Sequence, residues 1–284
     1  RELTLARNRL VTLPSSLARC PLVLLGAQAN LIQRLPDGLL GGLGRLKTLQ
    51  LSDNRLAVLP DDLSGCSSLQ VLNLNGNRLR ELPAALGMLR RLHTLGLGAN
   101  RLERLPREMG GLESLKTLQL GENRLSEVPA SLCACARLED LGLAQNRIAW
   151  LPAEVGQLGS LRSLVVAAGK FAHLPASISG LGSLVQLELS GSKLDVLPES
   201  ICELACLRGL RVSDNRLTAL PARIGRLRRL RSLRLDGNLL ERLPDLGEPV
   251  DDDDDDVASL IELWCNANRL IELPHSLGSL LSLE

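Results

Sequence analysis

The sequence predicts an α/β solenoid, a curved horseshoe of about twelve 23-residue repeats with a parallel β-sheet on the concave face and short helical turns on the convex face. Three observations support it: a polar residue recurs at a fixed period, leucines alternate before it, and a proline follows it at a fixed distance. Because a solenoid grows by stacking, the length of 284 residues sets the number of repeats and not the number of domains. We expect one domain over residues 1–284, truncated at both ends relative to a longer protein.

The period is defined by a polar position that we use to number the repeats. Its members are Asn8, Asn30, Asn54, Asn77, Asn100, Asn123, Asn146, Gly169, Ser192, Asn215, Asn238 and Asn268. From Asn77 to Asn238 the spacing is 23 residues throughout, although Gly169 and Ser192 replace asparagine. The pattern around it is L-x-x-L-x-L-x-x-N-x-L, which at a period of about 20–29 residues is the signature of the leucine-rich repeat.

The residue types of repeat four have a physical explanation. Leu72 and Leu74 alternate with period two, so both face the core from a short strand and the residues between them are exposed. Asn77 lies where the chain turns away from the sheet, and its amide can bond backbone groups that the bend leaves unpaired in this repeat and the next. Pro83, which has a counterpart in all twelve repeats, ends that segment, and a short helical turn follows at 84–89.

The composition excludes several classes of function. The chain has 33 basic and 32 acidic residues, so its net charge of +1 creates no global field that favours nucleic acid. No apolar stretch is long enough to span a membrane. We find no nucleophile beside a base, no metal-ligand spacing and no phosphate-binding loop, and we therefore predict no enzyme activity, no cofactor and no metal site.

The seven cysteines fit buried thiols better than disulfides. Cys20, Cys66 and Cys135 occupy a position where other repeats have a core leucine, and Cys265 replaces an inward-facing strand residue. The odd number of cysteines and the absence of any Asn-x-Ser/Thr glycosylation site argue against a secreted protein. The sequence therefore predicts a cytoplasmic location.

Two departures from the repeat allow alternative interpretations. In repeats eight and nine, the segment Val165–Ala168 is apolar, so either the sheet surface is locally apolar for a partner or these repeats have drifted. An acidic insertion at 245–257 contains the run Asp251–Asp256, which we predict to be a solvated loop because like charges repel. A calcium loop would alternate its ligands with glycine and turn residues, so an electrostatic contact with a basic partner fits this run better.

The candidate binding surface is the row of exposed strand residues on the concave face. This row reads Thr4, Gly26, Gln50, Asn73, Gly96, Gln119, Gly142, Val165, Glu188, Arg211, Arg234 and Trp264. Its first seven members are uncharged, whereas its last four include arginine and tryptophan, the residues most often found as interface hot spots. The predicted partner-binding residues are Glu188, Arg211, Arg234, Asp236, Glu262 and Trp264. The alternative is that the two arginines neutralise neighbouring aspartates, Asp214 among them, and that the tryptophan shields the terminal core.

The segment Asn54–Pro60, Asn-Arg-Leu-Ala-Val-Leu-Pro, resembles the intracellular leucine-rich repeats of the Shoc2, plant Ras-group-related and LAP type. This resemblance covers nearly the whole chain, and it implies a protein-interaction scaffold in intracellular signalling with small GTPases or phosphatases as partners. Similar arrays also lie beside catalytic domains. The alternative function is therefore a regulatory or substrate-recognition segment of a larger kinase, GTPase, cyclase or ligase whose catalytic domain lies outside this chain.

Overall fold

The computed structural model describes residues 1–246, 260–280 and 282–283. These residues belong to two units, Arg1–Asn146 (unit 1) and Arg147–Glu284 (unit 2). The acidic insertion predicted at 245–257 falls largely outside the described residues, and its run Asp251–Asp256 does so entirely.

Each repeat of unit 1 contributes one three-residue strand to a parallel sheet, and strands are numbered by their repeats. The strands are β1 Glu2–Thr4, β2 Leu24–Gly26, β3 Thr48–Gln50, β4 Val71–Asn73, β5 Thr94–Gly96, β6 Thr117–Gln119 and β7 Asp140–Gly142. Neighbouring strands pair in the frame of the repeat, as Leu72 with Leu95 and Asn73 with Gly96. Parallel neighbours need a crossover connection, and here the remainder of each repeat supplies it.

Unit 2 follows the same rule. Its strands are β8 Ser163–Val165, β9 Gln186–Glu188, β10 Gly209–Arg211, β11 Ser232–Arg234 and β12 Glu262–Trp264. The insertion between repeats eleven and twelve does not disturb the frame, because Leu233 of β11 still pairs with Leu263 of β12. In both units the parallel strands predicted from the leucine alternation are confirmed.

Within the described residues, short 3-10 helices follow the repeated prolines except at Pro36, which is followed by turns, and this confirms the predicted helical turns. In unit 1 they span Ser15–Arg19, Asp61–Gly65, Ala84–Met88, Arg107–Gly111 and Ala130–Ala134, and in unit 2 Ala153–Gln157, Ala176–Gly180, Glu199–Glu203, Ile224–Arg226 and His275–Ser279. Pro83, with φ −68° and ψ 146°, holds the chain extended immediately before the helix that begins at Ala84. Within the described residues, no helix has the length and apolarity needed to cross a membrane.

The core of both units is built mainly from leucine. Leu72 and Leu74 are fully buried on the inner side of the sheet. Val166 occupies the position of Leu74 and is 3% exposed. The prediction that Val166 lies on the exposed surface together with the rest of Val165–Ala168 was therefore wrong. The hypothesis of an apolar surface patch in this segment therefore loses one of its two valines, because Val166 belongs to the core.

The recurring asparagines form a ladder of buried hydrogen bonds. Asn77 Nδ2 donates to the carbonyl oxygens of Leu51 and Leu74, both at 2.9 Å, and Asn77 Oδ1 accepts from the Leu56 amide at 3.0 Å. The bonds thus join each repeat to the preceding one, whereas the sequence suggested a link to the following one. The reason is the path of the chain: after its strand it turns back under the carbonyls of the preceding repeat.

In unit 2 the ladder is interrupted where asparagine is replaced. Ser192 donates a single hydrogen bond, from its hydroxyl to the Val166 carbonyl at 3.3 Å. Gly169 has no side chain with which to bond. Regular bonding returns at Asn215, whose Nδ2 donates to the Leu189 carbonyl at 3.0 Å. Two steps of the ladder are therefore weaker in unit 2 than any from Asn30 to Asn146 in unit 1.

The residue before each ladder position adopts the left-handed backbone conformation, which the repeat pattern did not predict. Those that are not glycine, within the described chain, are Arg7, Ala29, Asp53, Ala99, Glu122, Gln145, Ala168, Asp214 and Ala267, with φ between 52° and 58°. This conformation costs an L-residue roughly 1–2 kcal/mol. Its amide is hydrogen-bonded to the next repeat, as from Asp53 to the Asn75 carbonyl at 2.8 Å, and this bond helps to offset the strain.

All seven cysteines lie in the described residues, and none of them forms a disulfide. Cys66 and Cys135 are buried as predicted, and their Sγ atoms each donate to a carbonyl of the preceding repeat at 3.3 Å. Burial, together with the nearby Asp62 carboxylate, raises the pKa of Cys66 to about 12, and burial alone raises the pKa of Cys135 to about 11. Both side chains are therefore neutral and unreactive in the folded protein.

The same prediction was wrong for Cys20, which is exposed. Cys66 and Cys135 are covered by the preceding repeat, in which the carbonyls of Leu40 and Met109 accept their Sγ hydrogen bonds. Cys265 was predicted to be buried in repeat twelve, but it is only half-buried. The position within the repeat therefore sets which way a cysteine points, and the neighbouring repeat sets how far it is buried.

Candidate protein-binding surface

The exposed residues of strands β9–β12 form one row because the strands pair in register. Arg211 pairs with Glu188 on one side and with Arg234 on the other, and Arg234 pairs in turn with Trp264. Neighbouring strands lie about 4.8 Å apart, so these side chains are neighbours. We call this surface the charged strand face; its residues are Glu188, Arg211, Arg234, Asp236, Glu262 and Trp264.

Two ion pairs join neighbouring strands on this face. Arg211 Nη1 lies 3.9 Å from Glu188 Oε2, and Arg234 Nη2 lies 3.5 Å from Glu262 Oε2. The side chains of Arg211 and Arg234 remain 42% and 40% exposed. The Glu262 side chain is 44% exposed, and because exposed ion pairs contribute roughly 0–1 kcal/mol to stability, a partner's carboxylate can replace it at little cost. The Glu188 side chain is 22% exposed, and its Oε1 accepts a hydrogen bond from the Ser190 amide at 2.9 Å.

The arginines pair with glutamates and not with the aspartates that the alternative interpretation named. Asp236 Oδ1 accepts hydrogen bonds from the Asn266 backbone amide at 3.0 Å and from its side-chain amide at 2.7 Å. Asp236 Oδ2 accepts from the Ser213 hydroxyl at 3.4 Å. Asp236 thus joins repeats ten to twelve, and it is the predicted site residue least available to a partner.

The centre of the face is a cation–π contact between Arg234 and Trp264. The guanidinium carbon of Arg234 lies 5.4 Å from the centroid of the Trp264 ring, within the range of about 6 Å for this interaction. Trp264 is 49% exposed, so it does not serve chiefly to shield the core. The ring on one side and the Glu262 carboxylate on the other hold the guanidinium, while about half of the indole surface stays open.

Glu262 is held in place by a residue that the sequence analysis missed. Its Oε2 accepts a hydrogen bond from the Ser232 hydroxyl at 2.8 Å. This bond and the adjacent Arg234 guanidinium hold the pKa of the Glu262 carboxyl below its usual range, against the opposing effect of desolvation. Ser232 and Glu262 occupy the same position in neighbouring strands, so an alignment of the repeats could have identified the contact.

The corresponding row in unit 1 carries no charge. Its members Thr4, Gly26, Gln50, Asn73, Gly96, Gln119 and Gly142 follow the same parallel register. In this row, Asn73 Oδ1 accepts a hydrogen bond from the Asn75 backbone amide at 3.1 Å. The concentration of charge and aromatic surface is therefore a property of repeats nine to twelve and not of the repeat itself.

Comparison with known proteins agrees with this architecture. The family model described as leucine rich repeat matches residues 20–79 and 90–148. A comparison with curated proteins gave no match. Among solved structures, the chain is similar to an LRR protein of Leptospira interrogans, with 31% identity and a TM-score of 0.74 over 98% of this chain and 75% of that one.

Two further solved structures broaden the comparison. One is the LRR ectodomain of the plant membrane receptor kinase GASSHO1/SCHENGEN3 from Arabidopsis thaliana in complex with CASPARIAN STRIP INTEGRITY FACTOR 2, with 25% identity and a TM-score of 0.53. That match covers 96% of this chain but only 42% of the receptor chain. The other, an internalin from Listeria monocytogenes, has 20% identity and a TM-score of 0.72, covers 100% of this chain and 85% of that one, and shows the fold alone.

Proposed function

The chain belongs to the leucine-rich repeat family, and from that premise we propose that it is a protein–protein interaction scaffold in intracellular signalling. Leucine-rich repeats are in general protein-interaction modules, built as stacked arrays that present an extended surface. The proposed binding site is the charged strand face of β9–β12.

The observation that carries this proposal is the contact of Arg234 with Trp264. Tryptophan and arginine are enriched among the residues that dominate interface energies. Here the two are stacked at 5.4 Å in the free chain, and Trp264 is still 49% exposed. A side chain that is already ordered loses little conformational entropy on binding, so this pair is a preorganised anchor.

The charges around this anchor define the chemistry of the partner. A partner carboxylate opposite Arg234 would exchange with Glu262, whose exposed ion pair adds little stability. An apolar or aromatic group would cover Trp264. We therefore expect an acidic protein segment with one large apolar side chain, and small GTPases and phosphatases are the first candidates because of the resemblance of the Asn-Arg-Leu-x-x-Leu-Pro motif.

A cytoplasmic location is part of the proposal. It is supported by the absence of Asn-x-Ser/Thr sites from the sequence and by the lack of disulfides among the seven cysteines. Disulfides are common in secreted proteins and rare in the cytosol. The side chains of Cys66 and Cys135 are also part of the core, and a reducing compartment keeps them as thiols.

The test is a quantitative pull-down, followed by titration of the captured protein after purification. The site variant carries Arg211→Glu, Arg234→Glu and Trp264→Ala. A matched control carries Arg101→Glu, Arg124→Glu and Trp150→Ala, which makes the same changes at exposed residues outside the charged strand face. Circular dichroism and the thermal midpoint establish that both variants are folded.

The proposal predicts that the site variant binds the purified partner at least about tenfold more weakly, while the control variant binds as the wild type does. Equal binding by the site variant and the wild type would exclude the charged strand face. Partners captured only through the acidic insertion or the side opposite the strands would give that result.

The alternative function is a recognition segment of a larger enzyme. One observation favours it: the 25% identity to the ectodomain of a plant membrane receptor kinase, of which this chain covers 42%. The complete open reading frame would distinguish the two functions. A catalytic domain in the same frame supports the recognition segment, and its absence supports the scaffold.

A further inference from the structure

A groove in unit 1 brings together three arginines that the candidate surface does not include. Arg34, Arg55 and Arg78 line it, together with the polar side chains of Thr12 and Gln33. Its volume is about 480 Å³. We call this region the arginine groove; it belongs to repeats one to four and lies beyond the ladder position, away from the strands.

The backbone places two of these arginines at equivalent positions. The Arg55 amide donates to the Ile32 carbonyl and the Arg78 amide to the Leu56 carbonyl, both at 2.8 Å. Each arginine directly follows a ladder asparagine, so the two side chains leave the backbone at the same position of neighbouring repeats. Stacked repeats thus bring two positive charges to one side of the groove, and Arg34 of repeat two adds a third.

These charges have no counter-ion in the described part of the chain. None of the three guanidiniums has a carboxylate within ion-pair distance, and no acidic residue lines the groove. The adjoining repeats differ, because Arg104 pairs with Glu81 at 3.9 Å and Arg90 with Glu113 at 3.5 Å. Neighbouring like charges without a counter-ion repel one another and attract an anion from solution.

We propose that the arginine groove binds a phosphate monoester. A guanidinium donates two parallel hydrogen bonds to phosphate oxygens, and the positive charge of three such groups exceeds the negative charge of a dianion. The Gln33 amide is a further donor at the same site, whereas the Thr12 hydroxyl donates to the Leu13 carbonyl at 3.4 Å. This inference is independent of the charged strand face, which lies in the other unit.

The groove also accommodates more than the phosphate group. Val11, which is 52% exposed, and Ala57 contribute apolar lining beside the arginines. The volume is in the range of pockets that hold small molecules. The ligand is therefore a phosphorylated metabolite or a phosphorylated side chain, with its carbon skeleton against the apolar lining.

Calorimetric titration of the full chain at low ionic strength tests this assignment. The probes are inorganic phosphate, glucose 6-phosphate and a phosphoserine peptide, with glucose and the unphosphorylated peptide as blanks. The groove variant carries Arg55→Gln and Arg78→Gln. The control variant carries Arg101→Gln and Arg124→Gln, which removes the same charge from the same repeat position outside the groove.

We expect saturable binding of at least one phosphorylated probe, about tenfold weaker in the groove variant and unchanged in the control variant. Tighter binding of glucose 6-phosphate would identify a metabolite as the ligand, and tighter binding of the peptide would identify a phosphoprotein. If the groove variant fails to fold, Ala57→Glu compared with Ser126→Glu gives the same test, because a carboxylate at the exposed position 57 repels phosphate. No binding tighter than about 1 mM by the wild type, or equal loss in both members of a variant pair, would overturn the proposal.

Discussion

Units 1 and 2 have the same kind of leucine core and differ on the exposed side of their strands. Leu118 in unit 1 and Leu210 in unit 2 occupy the same inward position, and both are fully buried. The residues that follow them, Gln119 and Arg211, are exposed to different degrees and differ in charge. Stacking between repeats therefore fixes the inward positions, while the outward positions are free to vary and can carry recognition.

The two units also differ in the ladder that joins their repeats. In unit 1 every step from Asn30 to Asn146 is an asparagine, whereas unit 2 has Gly169 and Ser192 at two steps. The parallel pairing of β8 with β9 continues across this interruption. The ladder therefore strengthens the stack, but leucine packing and strand pairing are sufficient to keep the frame.

The largest effect is expected from truncating a buried core leucine in each unit. Leu118→Ala and Leu210→Ala should each lower the free energy of unfolding by about 3 kcal/mol, because both remove a fully buried side chain and leave a cavity. Urea denaturation followed by circular dichroism measures the two changes. If they differed by more than about 2 kcal/mol, the two cores would not be equivalent.

A smaller effect separates the two ladders. Asn123→Ala removes hydrogen bonds to the Leu97 carbonyl at 2.9 Å and from the Leu102 amide at 2.9 Å, and should lower the free energy of unfolding by about 2 kcal/mol. The reverse change, Ser192→Asn, should raise it by about 1 kcal/mol, because it restores bonds that the serine cannot make. Thermal and urea unfolding measure both. If Ser192→Asn were destabilising, the packing around position 192 would fit serine better than asparagine.

The smallest effect concerns the charged strand face alone. The pKa of Glu262 is lowered in the folded chain, so the stability contributed by this carboxylate is present above the usual glutamate pKa of about 4.3 and is lost as the pH falls through the lowered value. The difference in stability between the wild type and Glu262→Gln should therefore be constant near neutral pH and shrink in acid.

Nuclear magnetic resonance titration of the Glu262 carboxyl gives the direct measurement. Ser232→Ala removes the hydrogen bond of 2.8 Å and should move the pKa of Glu262 back towards its usual range. The substitution Ser163→Ala at the same strand position of β8 is the control, since it leaves the pKa unchanged. An unaltered titration in Ser232→Ala would show that the Arg234 guanidinium alone holds the charge.

Most of the fold could be read from the sequence because its signals recur twelve times. The alternation around Leu72 and Leu74, the asparagine at position 77 and the proline at 83 each predicted the element that the structure has there. One error concerned a residue whose burial depends on its neighbours, the exposed Cys20, and another a residue whose repeat position was misassigned, the buried Val166.

The candidate surface could be predicted in part. The row from Glu188 to Trp264 followed from the register, since equivalent positions in parallel strands must be adjacent. The partners within it did not follow, because Arg234 has Glu262, Trp264 and Asp236 all within one repeat of it. Side-chain geometry selects Glu262 and Trp264, and it assigns Asp236 to the Asn266 backbone instead.

The sequence by itself determined the repeat, the inward leucines, the ladder and the order of the strands. These depend on periodicity, because once the period is known, the equivalent residues of successive repeats must lie next to one another in the stack. Only the tertiary structure decided the choice of Glu262 over Asp236 as the partner of Arg234, and the meeting of Arg34, Arg55 and Arg78 in one groove. The physical reason is that each of these depends on contacts between repeats, which differ from one pair of side chains to the next and follow no period.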